Sequence, residues 1–237
     1  MKAIILAAGR GSRMKHLTDE RPKCLIEFNG KPLLEWQLEA IRKAGIDEIG
    51  IVTGYKREML TEYGLVEFHN PEWATTQMVS SLCCANEWLE ANTCIVSYSD
   101  IFYESSAVSS LLECDAEIAL TYEPNWLELW TKRFGDPLLD AETFRLNSDG
   151  TLAEIGNKPK NVEEIQGQYM GLLKFVPSGW KILTDVKNGL LKEQHSKLHM
   201  TNLLQQMIDS RKMKIIPVLN KSKWGEFDTE KDLGVVN

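Results

Sequence analysis

The segment Leu6-Ala-Ala-Gly-Arg-Gly-Ser-Arg13 has the make-up of an anion cradle. Small residues let a backbone approach a ligand closely, and successive amide N–H groups in a glycine-rich turn converge on negative charge. Leu6, Ala7, Ala8, Gly9, Gly11 and Ser12 would meet the ligand mainly through main chain, while Arg13 adds a guanidinium able to donate two parallel hydrogen bonds. Two familiar phosphate loops do not fit. A dinucleotide fingerprint needs a third glycine where Met14 stands, which argues against a nicotinamide-dependent dehydrogenase. A P-loop ends in Gly-Lys-Ser/Thr, and the chain has no such run. Taken alone, Gly9 and Gly11 could also be an ordinary turn.

Further charged residues suit the same chemistry. Ten positions after Arg13 comes Lys23, in Arg21-Pro-Lys-Cys-Leu25. Asp100 follows an apolar run at 94–98, and open parallel sheets bind ligands at the carboxyl ends of their strands. Glu226 and Asp228 alternate, so an extended backbone would put both on one face. Asp100, Glu226 and Asp228 together form a plausible oxygen-ligand set for Mg²⁺, which also takes phosphate oxygens and water.

These residues need a frame. Residues 3–6 read as a short buried strand, and Pro32 opens a helix with Leu34, Leu38 and Ile41 at helical spacing and Gly45 placed to end it. Residues 48–53, 94–98 and 116–122 read as further strands, and 79–89 and 105–112 as helices. That alternation predicts an α/β protein with a mostly parallel sheet and crossover helices. The second half differs. Residues 123–140 are rich in Trp, Pro and charge and read as an irregular excursion. Runs at 143–146 and 152–155 flank Asn147-Ser-Asp-Gly150, a hairpin signal. Residues 168–176 and 214–219 read as strands, and 201–211 as a helix capped by Thr201 or a neighbour. Residues 230–235 read as a terminal helix. The expectation is one domain over 1–237 with a small α+β lobe at about 123–200.

The order L-A-A-G-x-G-S-R, then R-P-K-x-L, resembles the signature of the sugar-phosphate nucleotidyltransferase superfamily. Its smaller members include cytidylyltransferases acting on phosphocholine and related phosphorylated compounds. The resemblance implies a Rossmann-like fold, with helices flanking the sheet. It implies triphosphate amides from Ala8, Gly9, Gly11 and Ser12, with Arg13 and Lys23 on the phosphate oxygens. It also implies magnesium at Asp100 and at Asp228, whose following residues 229–233 resemble the family's stretch after its second metal-binding Asp. Ser99 stands where the family usually has Gly. The base would be read near 75–81 by Gln77, Ser80 and Ser81, although Thr75 or Thr76 could equally be a helix cap.

The acceptor region departs from the sugar-using members. They carry Glu-Lys-Pro, where this chain has Gly156-Asn-Lys-Pro159, which weakens the case for a hexose phosphate. Lys158, Gln168, Tyr169, Trp130 and Arg133 suit a small polar or zwitterionic phosphorylated acceptor, and aromatic faces hold cationic headgroups. Trp126 and Trp130 could instead simply pack. Residues 166–175 also resemble cytidylyltransferases of capsule-type biosynthesis that act on phosphorylated amine or amino-acid headgroups, phosphoglutamine among them. The expected reaction is transfer of CMP from CTP with release of pyrophosphate. The alternatives are a sugar-1-phosphate nucleotidyltransferase and a non-catalytic nucleotide-binding regulatory domain; Lys23, Asp100 and Asp228 argue against the latter.

The bulk numbers agree. The 237 residues are 43% hydrophobic and 26% charged, with net charge −7, a sign that does not draw in nucleic acid. No apolar stretch approaches the roughly 20 residues that span a bilayer, and the N-terminus lacks a signal-peptide pattern. Cys24, Cys83, Cys84, Cys94 and Cys114 are odd in number and form no C-x-x-C pair, as expected for free thiols in a cytoplasmic protein. A homodimer is left open.

Overall fold

Lys2–Ala7 forms the first strand, β1, and its burial explains its unbroken apolar reading. Ile4 and Leu6 point into one hydrophobic cluster, while Ala3, Ile5 and Ala7 point into another on the opposite face. In the computed structural model, which describes residues 1–235, β1 is followed by β2 (Glu27–Phe28), β3 (Lys31–Pro32), β4 (Ile49–Thr53), β5 (Val66–His69), β6 (Cys94–Tyr98) and β7 (Ile101–Tyr103). Then come β8 (Ile118–Glu123), β9 (Phe144–Leu146), β10 (Leu152–Ile155), β11 (Gln168–Phe175), β12 (Ile216–Leu219) and β13 (Trp224–Glu226). The helices are α1 (Leu33–Lys43), α2 (Met78–Cys83), α3 (Asn86–Ala91), α4 (Ser105–Glu113), α5 (Trp126–Phe134), α6 (Pro177–Asn188), α7 (Lys192–His195) and α8 (Met200–Ser210).

The main sheet has seven strands in the order β12-β8-β11-β6-β1-β4-β5. Neighbours are parallel except at β11, which runs antiparallel to both β6 and β8. The sheet is therefore mostly parallel and flanked by helices. The segment 123–200 does not stand apart from it: β11 lies inside the sheet, and α6 packs on α3 and α8. The antiparallel β9–β10 ladder stands outside, around the turn at 147–150. Gly150 there has φ +80°, where glycine is favoured.

Several elements differ from their sequence expectations. Residues 79–89 form two short helices, α2 and α3, not one. Asn86 accepts a hydrogen bond from Trp180 Nε1 at 2.6 Å and Trp88 packs edge-on against Phe68, so tertiary contacts aim the second helix. Residues 123–140 are not irregular, since α5 buries Trp126 and Trp130 one turn apart. Thr201 does not cap α8; His199 holds that position without a side-chain bond, and the Thr201 hydroxyl faces Glu142. The terminal turn is a 3₁₀ helix over Glu230–Gly234, closed by a capping box between Thr229 and Asp232. Pro217 lies in β12, at the sheet edge, where a missing N–H is tolerated. Among the described residues no helix is long and apolar enough to cross a membrane.

Candidate active site

The glycine loop leaves the carboxyl end of β1 and is held from behind. The Thr18 hydroxyl lies 3.2 Å from the carbonyl oxygens of both Gly11 and Lys15. Tyr55 Oη lies 2.9 Å from the Thr18 carbonyl oxygen and 2.7 Å from that of Asp19. Met14, the residue that breaks the dinucleotide fingerprint, is fully buried beneath the loop. Gly11 is required twice over: its φ is +69°, and a Cβ there would sit 2.7 Å from Lys23 Cδ. Gly11→Ala should therefore displace Lys23 and cost about 1–2 kcal/mol of backbone strain. Urea unfolding and turnover measured together check this; an unchanged enzyme would contradict it.

Lys23 is the hub of the charged residues. It is buried, with Nζ 2.7 Å from Asp100 Oδ2 and 2.9 Å from Asp228 Oδ1. Asp100 and Asp228 meet because β7 and β13 pair antiparallel, Ile101 opposite Glu226, and the Phe227 N–H donates to the Asp100 carbonyl. Arg13 reaches in from solvent to within 2.9 Å of Asp228 Oδ1. Burial alone would lower the Lys23 pKa, but the Asp100 and Asp228 carboxylates outweigh it and the pKa is raised. Burial alone would raise that of Asp228; Lys23, Arg13 and Arg133 reverse the sign and hold it below the usual range.

Glu226, the third residue of the expected ligand set, is engaged by Arg133 at 2.8 Å, and among the described residues no group of three His, Cys, Asp or Glu side chains gathers as a metal site. Burial and the Asp228 charge push Glu226 up to about 8, against the opposing pull of Arg133. Arg133 is in the lining of neither cavity beside this hub. Its side chain is fully buried, 2.9 Å from Asp232 and 3.8 Å from Asp228. Asp232 in turn accepts the backbone N–H groups of Asp228 and Thr229 at 2.9 and 2.7 Å. Arg133 and Asp232 thus brace the segment that carries Asp228.

Two cavities flank this hub, sharing Arg13, Met78 and Tyr98. The first, about 270 Å³, is lined by Leu6, Ala8, Gly9, Gly11, Lys23 and Asp100, with Gln77 and Ser81 across from the loop. Gln77 sits at the start of α2, and neither Thr75 nor Thr76 caps that helix. Asn70 donates to the hydroxyls of both Thr76 and Ser81, at 3.1 and 3.0 Å. Three expected contacts are not part of this lining. Ala7 points into the core on the other face of β1, Ser12 is exposed, and the Ser80 hydroxyl donates to the His195 carbonyl.

The second cavity, about 330 Å³, is lined by Trp130, Gln168 and Tyr169, together with Asp140, Glu142, Glu226 and Asp228. The Gln168 amide is committed inward: Nε2 donates to the Glu142 carbonyl at 2.7 Å and Oε1 accepts the Glu142 N–H at 3.3 Å. Lys158 is turned away, donating to the carbonyls of Leu138 and Leu139. The Asn157 side chain is exposed and bonded to Glu154.

The sequence of this chain matches the MobA-like NTP transferase domain over residues 3–148. It is 34% identical to the CTP:phosphoglutamine cytidylyltransferase of Campylobacter jejuni, covering 99% of this chain and 98% of that protein. The chain is a nucleotidyltransferase of the MobA-like family. The choline-phosphate cytidylyltransferase of Streptococcus pneumoniae is 36% identical across 71% of this nucleotidyltransferase and 77% of its own length. The fold superimposes on the inositol-1-phosphate CTP transferase from T. maritima with a TM-score of 0.78 at 19% identity, covering 99% and 94% of the two chains.

Residues that sequence reasoning missed fall on both sides of this transferase site. Trp73 lines the first cavity, packed edge-on against Tyr55 at 5.4 Å. Gly54 makes room for it, since a Cβ there would lie 2.5 Å from Trp73 Cβ and from the Ala8 carbonyl oxygen. Asp140, Glu142 and Asn70 carry no motif; only their placement reveals them.

Proposed function

We propose that this nucleotidyltransferase moves CMP from CTP to the phosphate of a small phosphorylated acceptor and releases pyrophosphate. The observation that carries the reading is Arg13, which lines both cavities and pairs with Asp228, the carboxylate that Lys23 joins to Asp100. Two anions brought together need positive charge where they meet, and Arg13 and Lys23 stand there. The choice of cytidylyl transfer is supported by the names of the relatives in Campylobacter jejuni and Streptococcus pneumoniae.

The triphosphate lies along the glycine loop, with its base between Trp73 and the start of α2. The acceptor lies in the larger cavity. Its phosphate attacks the α-phosphorus in line, and pyrophosphate leaves past Arg13 and the loop. A phosphate with a second pKa of about 6 is largely ionised at neutral pH, so no strong general base is required. The enzyme's work is positioning and neutralisation of charge.

Asp100 and Asp228 fit magnesium. Both are hard oxygen donors, and Asp100 Oδ1 is buried with no hydrogen-bond partner among the described residues. When bound, the ion neutralises phosphate charge and makes the α-phosphorus more electrophilic. With the carboxylates holding the ion, Lys23 would donate to phosphate oxygens instead. The product is a CDP-linked headgroup of the kind used for cell-surface polysaccharides. Its synthesis is assigned to the cytoplasm, where the five unpaired cysteines would stay reduced.

The test is a matrix of the four ribonucleoside triphosphates against phosphocholine, phosphoethanolamine, aminoethylphosphonate, phosphoglutamine and hexose 1-phosphates, read by pyrophosphate release. CTP with an amine-bearing acceptor should lead; turnover confined to UTP with a hexose 1-phosphate would overturn the reading. Arg13→Ala should cut kcat roughly 10²-fold and raise the acceptor KM much less. A pure change in acceptor KM would contradict its place beside the leaving group.

A further inference from the structure

The acceptor cavity holds two carboxylates that stand outside any ion pair. Among the described residues neither Asp140 nor Glu142 makes an ion pair, although both line the cavity. Glu142 is also fixed in place. The Gln168 amide clamps its backbone from both sides, and Thr201 Oγ1 lies 3.5 Å from its Oε1. Thr201 is itself pressed close to the backbone of Gly156, where a Cβ would come within 2.6 Å of the Thr201 Cβ. Asp140, two residues before Glu142, lines the same cavity. The nearby cations have other partners: Arg13, which lines the cavity, pairs with Asp228, Arg133 with Glu226 and Asp232, and Lys158 turns to main-chain carbonyls.

A second, independent observation also points to a ligand. Among the described residues Trp130 Nε1 is buried without a hydrogen-bond partner, on a side chain that lines this cavity and is only 3% exposed. Buried donors are almost always satisfied, so an acceptor oxygen is its natural partner. The cavity thus offers a donor as well as carboxylates.

The aromatic faces are occupied by the protein itself. Trp130 stacks on Trp224 with centroids 6.0 Å apart and planes at 12°, and the Arg133 guanidinium lies 5.1 Å from its ring. Phe144 stacks on Tyr122 at 5.0 Å, and Tyr98 meets Tyr169 edge to face at 5.6 Å. A quaternary ammonium has no N–H and is held by open aromatic faces. A primary ammonium has three N–H donors and is held by carboxylates.

We propose that Glu142, supported by Asp140, selects acceptors that carry a hydrogen-bonding primary ammonium and disfavours their quaternary counterparts. The proposal rests on the cytidylyl-transfer reading above. Gln168 serves as a positioning residue for Glu142.

Two acceptor pairs that differ only in N-methylation test it: phosphoethanolamine against phosphocholine, and phosphoglutamine against its α-N-trimethyl derivative. With CTP, the primary amine should lead in kcat/KM by about tenfold or more in at least one pair. Glu142→Gln should raise the KM of that acceptor by about tenfold while leaving the KM of CTP and the melting temperature nearly unchanged, and the preference within the pair should shrink. Equal or better use of the methylated partner overturns the proposal, as does an unchanged acceptor KM in Glu142→Gln. Turnover of hexose 1-phosphates alone also overturns it while leaving nucleotidyl transfer intact. Pyrophosphate release from no acceptor at all overturns the transfer reading itself.

Discussion

Asp100→Asn and Asp228→Asn each abolish pyrophosphate release, lowering turnover by roughly 10³-fold or more, while the fold survives. The amide keeps the shape of the carboxylate and can still accept hydrogen bonds from Lys23. It loses the charge that holds Lys23 and Arg13 at the junction of the cavities, and with it the hard anionic oxygen suited to a divalent ion. Asp100 should be tolerated more easily, because its side chain is 22% exposed against 7% for Asp228. Circular dichroism and a pyrophosphate-coupled assay separate the two effects. Near-normal turnover in both variants would remove the two carboxylates from the mechanism.

Arg133→Leu produces the largest loss of stability, about 3–5 kcal/mol. The guanidinium is fully buried between Glu226 and Asp232, with Asp228 beside it. Leucine cannot offset their charge, and removing one partner of a buried pair costs far more than the pair contributes. The variant should unfold at much lower urea, and its residual activity should be poor because Asp228 loses its brace. A change below about 1 kcal/mol, the range of exposed ion pairs, would show that solvent screens this cluster.

The parts of the site that were legible in the sequence are those written locally. Gly9, Gly11 and Arg13 follow a buried strand, Lys23 lies ten positions on, and Asp100 follows another strand; each is marked by its neighbours. The strands themselves were legible because β1, β4 and β6 are buried on both faces and read as continuous apolar runs. Strand direction was not. Nothing in the apolar pattern of Gln168–Phe175 says that it runs antiparallel between β6 and β8, or that a supposed lobe contributes to the main sheet.

Long-range charge pairing was equally hidden. Arg133 and Asp232 are 99 positions apart, so a buried brace looked like a free cation suited to an acceptor. Lys158 sits in a family-like Lys-Pro, yet its ammonium is drawn to the carbonyls of Leu138 and Leu139. Glu142 had no motif at all, and its place is set by the Gln168 clamp and an apposed Thr201. In α5, the spacing of Trp126 and Trp130 was a helical signal that the surrounding charge obscured.

The most direct test of nucleotidyl transfer is phosphorus NMR of the enzyme with CTP, magnesium and an amine-bearing phosphorylated acceptor. Cytidylyl transfer predicts equimolar appearance of pyrophosphate and of a new diphosphate diester joining CMP to the acceptor. Release of inorganic phosphate, or consumption of CTP with no new phosphorus–oxygen–phosphorus linkage, would contradict it.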